Sequence, residues 1–341
     1  MMREDASRPP PDAVMREMVN GFMLTQALAV VAELGIADYI ASRPLAVAEL
    51  ARTSGSNEDA LFRLIRYLAG FGIFAMDDDR RVSNTPLSRT LRTEAAGTVR
   101  NWAMLAGRSF RWSVTGNLMH TVRTGEPAFA ATLGAPQWDY LAEHPEDGNQ
   151  FNATMAELST TMIPALIAAY DFADASVVVD VGGGTGATLA GILEANPAAS
   201  GILFDLAEVV DKGRTLLAER GLEERVRCVA GDFFRAVPEG GDLYLLRAVL
   251  HDWSDADAAA ILKRCHAAMK PGTRLLLNEG IFPDDDAPSL FRFGDVLMMV
   301  MLGGRERTRA EFRSLLASCG FDLRQVVPTA SPLHVIEAVR R

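Results

Sequence analysis

Apolar positions along this chain follow a helical spacing up to about residue 170 and gather into short unbroken runs after it. Over residues 14–40 they recur every three or four positions. Phe22, Met23, Leu24, Ala27, Leu28, Val30 and Val31 leave more than one face of this segment apolar. Such a segment must be buried against something extra, and a partner subunit is the economical choice. Residues 47–51, a glycine-containing turn at 53–57 and residues 58–71 predict a helix-turn-helix. Residues 72–76, a charged turn at 77–81 and residues 82–85 add a two-stranded wing. Residues 98–170 read as a helical linker carrying aromatic and thioether surface at Trp102, Met104, Phe110, Trp112, Leu118 and Met119. Toward its end Phe151, Met155 and Leu158 share a helical face, with Ser159 beside them.

Beyond residue 170 the pattern predicts strands alternating with helices. VVVDV at 177–181 reads as a fully buried strand, followed by Gly182, Gly183, Gly184 and Gly186, where the backbone must turn sharply or admit a ligand. A helical run at 187–195 leads to a second buried strand that ends in Asp205. Residues 226–230 form a third strand and lead to Gly231-Asp232-Phe233. Residues 242–247 form a fourth strand and lead to His251, Asp252, Trp253 and Ser254. Residues 274–278 form a fifth, which ends in Glu279. A Met-rich helix at 291–302 precedes a GGRERT segment, in which Thr308 and Glu311 make a capping box for a helix at 309–318. Strands at 323–327 and 333–339 close the sheet.

A chain of 341 residues exceeds one compact core, so two domains are expected. The boundaries read as a disordered tail at 1–13, a winged-helix unit at 14–97, a linker at 98–170 and an α/β domain at 171–341. The net charge of −10 argues against generic nucleic-acid binding. Residues 1–100 carry 12 Arg and Lys against 13 Asp and Glu, so the winged helix lacks a phosphate-tracking face and reads as a dimerisation device. No apolar run reaches the length of a membrane span, and the polar, Pro-rich start is unlike a signal peptide. Cys228, Cys265 and Cys319 lack metal spacing and read as packing residues in a reducing cytoplasm.

Strand, glycine turn, helix, strand and terminal acid make a nucleoside-binding unit. Gly182, Gly184 and Ala187 satisfy a dinucleotide fingerprint, which keeps an NAD-dependent oxidoreductase in view. Three features favour S-adenosylmethionine (SAM). Asp180, two residues before the first glycine, suits a cationic amino-acid ligand better than a pyrophosphate. Asp232 and Phe233 supply an acid and a ring for an adenine. The glycine unit also opens the second half of the chain, after the helical region. In open α/β sheets the carboxyl ends of the strands line the ligand crevice, which puts His251 and Glu279 there.

The motifs VVDVGGGTG, LFDL, GDFF, LRAVLHDWSD, LLLNEGIFP and GGRERTRAEF occur in this order. With the winged-helix front end, over residues 14–340, the chain resembles the SAM-dependent O-methyltransferases of the plant caffeate type. It is most similar to the bacterial branch that methylates aromatic hydroxyls in secondary-metabolite and antibiotic pathways. The resemblance implies a Rossmann-like class I methyltransferase domain with a seven-stranded sheet whose last strand is antiparallel, and an intertwined homodimer in the cytoplasm.

The resemblance also implies roles. His251 falls on the base that deprotonates the acceptor hydroxyl, and Glu279 and Glu306 fall on the acids flanking it. For Asp252 the residues alone leave three readings open: it orients His251, caps the following helix or is simply solvated. The cofactor contacts implied are Asp180, Gly182, Gly183, Gly184, Asp205, Leu206, Gly231, Asp232, Phe233 and Ser159, with Arg247 contributing its main chain. The acceptor pocket implied is lined by Met104, Trp112, Phe151, Met155, Phe291, Met298 and Met299. S-adenosylhomocysteine is the implied product, and neither a metal, a nucleic acid nor a membrane is expected as a partner. N- or C-methylation, or a non-methylating use of bound SAM, is the nearest alternative; a small-molecule-sensing regulator is a remote one.

Overall fold

The computed structural model describes residues 9–341, so most of the expected tail lies outside the described residues; a helix, Pro11–Val19, begins inside that stretch. The chain divides into two compact units, residues 1–113 with 141–157 and residues 114–140 with 158–341. The helix Pro145–Ala169 belongs to the first unit as far as Glu157 and to the second from Leu158.

In the first unit a core forms around Val31, Ile36, Leu50, Leu61, Ile65, Leu68, Phe74 and Val82. Helix Val47–Ser54 stops at Gly55, whose φ of 68° supplies the left-handed cap. Asn57 then accepts the Ala60 N–H and starts helix Glu58–Gly70. Strands β1 (Leu45–Ala46), β2 (Phe74–Met76) and β3 (Arg81–Asn84) form a small antiparallel sheet in the order β1-β3-β2, completing the helix-turn-helix and wing. Helix Gly21–Glu33 buries Ala27, Ala29, Val31 and Ala32 yet leaves Phe22, Met23 and Val30 exposed, as its all-round apolar pattern requires.

In the second unit β4 (Val177–Val181), β5 (Ser200–Asp205), β6 (Val226–Ala230), β7 (Leu243–Arg247), β8 (Arg274–Glu279), β9 (Phe321–Pro328) and β10 (His334–Arg340) form one sheet. Its order is β6-β5-β4-β7-β8-β10-β9. The first five strands are parallel, and β10 runs antiparallel to both β8 and β9. Buried on both faces, β4, β5, β7 and β8 are mostly apolar, whereas the edge strand β6 leaves Arg227 and Ala230 exposed. Side chains of alternate residues feed two cores. Val179, Tyr244, Leu246, Leu275 and Leu277 face one side, and Val178, Leu243, Leu245 and Leu276 the other. Polarity begins near the ends of the runs, at Asp180, Asp205, Arg247, Asn278 and Glu279, so the carboxyl edge of the sheet gathers the expected site residues. Cys265 and Cys319 are buried, whereas Cys228 is only half-buried. Among the described residues no helix is long and apolar enough to cross a membrane.

Candidate active site

The turn after β7 carries His251, the expected base. Ala248 adopts φ 52°, a left-handed conformation that costs a non-glycine residue roughly 1–3 kcal/mol. Its N–H donates to Asn278 O at 3.1 Å, and the reversal swings the next residues across the end of β8. Val249 and Leu250 N–H donate to Glu279 Oε1 at 2.9 and 2.7 Å. The other oxygen of Glu279, Oε2, meets His251 Nδ1 at 2.8 Å. Glu279 is fully buried, so one carboxylate fixes the main chain and the ring orientation of the same short helix, Leu250–Asp252.

Two further acids face the imidazole. Asp252 Oδ1 lies 3.3 Å from His251 Nε2. The Glu306 side chain passes between two glycines. A Cβ at Gly280 would lie 3.0 Å from its Oε2, and one at Gly294 3.1 Å from its Oε1. Burial disfavours a charged imidazole, but Asp252, the hydrogen-bonded Glu279 and Glu306 outweigh it and push His251 up to about 10. Burial pushes Asp252 up to about 6 and Glu306 up to about 7, in both cases against the attraction of His251. The cluster therefore favours a proton on the ring. With Nδ1–H donated to Glu279, the nitrogen facing Asp252 is the one left to exchange a proton.

The GGRERT segment holds this turn from the other side. Arg305 N–H donates to His251 O at 2.9 Å. Gly304 has no room for a side chain, since a Cβ there would sit 2.1 Å from His251 O. Arg307, 1% exposed, donates to Leu250 O at 2.8 Å, Trp253 O at 2.9 Å and Asp255 Oδ1 at 2.9 Å. Sequence reasoning missed Arg307, because a charged run reads locally as surface.

A second cluster surrounds the glycine turn. Gly182, Gly184 and Gly186 have φ of 68°, 60° and 76°. A Cβ at Gly183 would press within 2.6 Å of Leu203 and 2.7 Å of Asp180. Asp205 Oδ2 accepts the Gly184 N–H at 2.8 Å and Oδ1 accepts that of Leu206 at 2.7 Å. Burial raises Asp205, and those two N–H groups oppose the rise. Gly231 N–H donates to Asp205 O at 2.9 Å, which ties β6 to this corner, and Asp232 Oδ1 accepts the Phe234 N–H at 2.8 Å. Phe233 packs edge-on with Phe234 and Trp253 at 5.0 and 5.8 Å, and a Cβ at Gly182 would lie 3.5 Å from its ring. Trp253 of the HDWSD motif thus packs beside Phe233, an expected cofactor contact.

Asp180 is buried, with Oδ2 lacking any partner, and desolvation pushes it up to about 7. Arg247 Nε is likewise buried and unpartnered. A cradle without Cβ atoms, an acid at the end of the second strand and two orphaned polar atoms beside them fit a nucleoside joined to an amino acid.

The expected acceptor-lining residues fall in both units. Met104, Trp112, Phe151 and Met155 are half-buried in the first, where Trp112 Nε1 donates to Ala106 O at 2.8 Å. Phe291, Met298 and Met299 are half-buried in the second, and the Phe291 ring lies against Gly280 beside Glu306.

Fold and site together define a class I methyltransferase, and comparison with known proteins gives the family. Residues 115–322 match the O-methyltransferase domain, and residues 16–94 match the O-methyltransferase dimerisation domain. The chain belongs to this family and is a SAM-dependent O-methyltransferase. It is 38% identical to phenazine O-methyltransferase PhzM of Lysobacter antibioticus over 96% of each chain. Among solved structures, the mitomycin 7-O-methyltransferase MmcR superposes with a TM-score of 0.90 at 34% identity, covering 99% of this chain and 100% of that one. An O-methyltransferase of neocarzinostatin biosynthesis, solved with S-adenosylhomocysteine and 1,4-dihydroxy-2-naphthoic acid, superposes with a TM-score of 0.81 at 33% identity, covering 94% and 96%.

Proposed function

We propose that this enzyme methylates a hydroxyl of an aromatic secondary metabolite, with His251 as general base, and that it works as a homodimer. The observation that carries the reading is the 2.8 Å contact between His251 Nδ1 and the buried Glu279, at the carboxyl edge of the sheet that holds the glycine turn. When bound, SAM supplies a methyl group on a sulfonium and departs as neutral S-adenosylhomocysteine.

Glu279 fixes the tautomer, so the ring presents Nε2 toward the acceptor. Nε2 takes the hydroxyl proton as the oxygen attacks. Asp252 and Glu306 then stabilise the imidazolium, as an orienting acid does in other base–acid pairs. A free His titrates near ~6.5 and a phenol near ~10, so proton transfer to an ordinary imidazole is uphill. The acids around His251 bring its affinity for a proton close to that of a phenolate, at the cost of a smaller fraction of free base at neutral pH. Phe291, Met298 and Met299 offer apolar, adaptable surface for an aromatic ring. The dimer reading is supported by the matching dimerisation domain and by the exposed Met15, Met18, Phe22 and Met23 in the first unit.

The test is to incubate the protein with SAM and a panel of hydroxylated naphthoates, phenazines and benzoates, and to locate the methyl by NMR. A new O-methyl signal is expected. Methyl groups found only on nitrogen or carbon would overturn the assignment of the acceptor atom.

A further inference from the structure

At the carboxyl edge, the face of the sheet opposite His251 carries a second set of buried polar groups. Strand alternation puts Asp180 of β4, Arg247 of β7 and Asn278 of β8 on the side shared with Val178, Leu243, Leu245 and Leu276. Arg247 is in register with Asn278, and Asp180 is paired with Leu245 one strand away. Among the described residues, each of the three has a buried side-chain atom without a partner: Asp180 Oδ2, Arg247 Nε and Asn278 Oδ1. Buried polar atoms in folded proteins are nearly always paired, so three together mark a place where something else completes the set.

Arg247 shows what is missing. Its Nη2 makes only long contacts, to Ser159 Oγ at 3.4 Å and to the Met162 thioether at 3.7 Å. A guanidinium presents five N–H donors in a fork that suits two carboxylate oxygens at once. Asp180 attracts it through space, yet its Oδ2 and the Arg247 Nε both stay without a hydrogen bond among the described residues. The pair thus offers one unsatisfied carboxyl oxygen and one unsatisfied cation next to the glycine turn, where the ligand ends in a zwitterionic amino acid.

We propose that the Arg247 guanidinium, with Ser159 beside it, holds the α-carboxylate of the cofactor's methionyl end and selects for cofactors that carry one. The assignment gives Arg247 a side-chain role in addition to the main-chain contact expected from the family. It deepens the cofactor reading above and depends on it. Lysine would supply the charge without the planar fork, so the two residues are not equivalent here.

Calorimetric titration of the full-length protein tests this without relying on turnover. The probes are S-adenosylhomocysteine and its decarboxylated counterpart, which keeps the amine and loses the carboxylate. The wild type should bind the first about 10–100-fold more tightly than the second. Arg247→Met should weaken S-adenosylhomocysteine by a similar roughly 10–100-fold and leave the decarboxylated ligand within about threefold, with Arg247→Lys intermediate. If Arg247→Met and Arg247→Lys bind S-adenosylhomocysteine as the wild type does, or lose both ligands equally, the inference is overturned while the cofactor reading stands. Failure of the wild type to bind S-adenosylhomocysteine would overturn both.

Discussion

Glu279 Oε2 lies 2.8 Å from His251 Nδ1 while its Oε1 accepts the N–H groups of Val249 and Leu250. One buried carboxylate thus builds the turn that carries His251 and orients its ring. The ring cannot rotate without breaking its bond to a group that the main chain holds in place.

Glu279→Gln keeps an oxygen for the two main-chain N–H groups and removes the charge facing the ring. Its kcat should fall by roughly 10²–10⁴-fold, with little change in cofactor affinity. The pH profile gives the sign. The acids hold His251 above its ordinary value, so kcat/KM rises with pH as the ring gives up its proton. Removing one acid must move that limb to lower pH. A limb left in place, measured between pH 6 and 10, would contradict the role assigned to Glu279.

Arg307 is the counterpart of Glu279 on the carbonyl side of the same turn. Arg307→Met leaves the Leu250 and Trp253 carbonyls without their donor and Asp255 without its buried partner. Losses of this kind cost about 3–5 kcal/mol, so Tm should fall by roughly 10 °C in differential scanning calorimetry. A surface arginine would shift Tm by no more than about 1–2 °C.

Gly304→Ala places a methyl group where His251 O now sits. The 250–252 turn must move, so kcat should drop about tenfold or more while calorimetry finds cofactor affinity within about threefold of wild type, because the glycine turn is untouched. Unchanged kcat would mean that the turn tolerates displacement.

Asp180 supplies a stability test. Burial raises its folded-state pKa to about 7, so the protonated form is favoured on folding. The associated stability is complete below the ordinary carboxyl pKa of about 4 and is lost as pH rises through about 7. Ligand-free Asp180→Asn should therefore melt close to wild type at pH 4.5 and several degrees above it at pH 8. Equal differences at both pH values would show that Asp180 does not titrate in that range.

Much of this was legible locally. β4, β7 and β8 are apolar runs ended by polar residues, and the Thr308–Glu311 capping box lies within four residues, so pattern alone finds them. Arg307 was not legible, because its acceptors stand up to 57 residues earlier in the chain and its neighbours Arg305 and Glu306 mimic a solvated run. Nothing in the residue type announces the left-handed Ala248. The orphaned atoms of Asp180, Arg247 and Asn278 come together through strand register, which pairs Asp180 with Leu245 and Arg247 with Asn278 across long stretches of chain. The packing of Trp253 on Phe233 and Phe234 was hidden for a similar reason, because those rings follow a different strand.

The role of His251 is decided by replacing it with alanine and measuring two quantities on the same preparation, SAM affinity by calorimetry and single-turnover methyl transfer to an aromatic hydroxyl. The base assignment predicts affinity within about threefold of wild type and a transfer rate lower by roughly 10²–10⁴-fold. A transfer rate equal to wild type would contradict it.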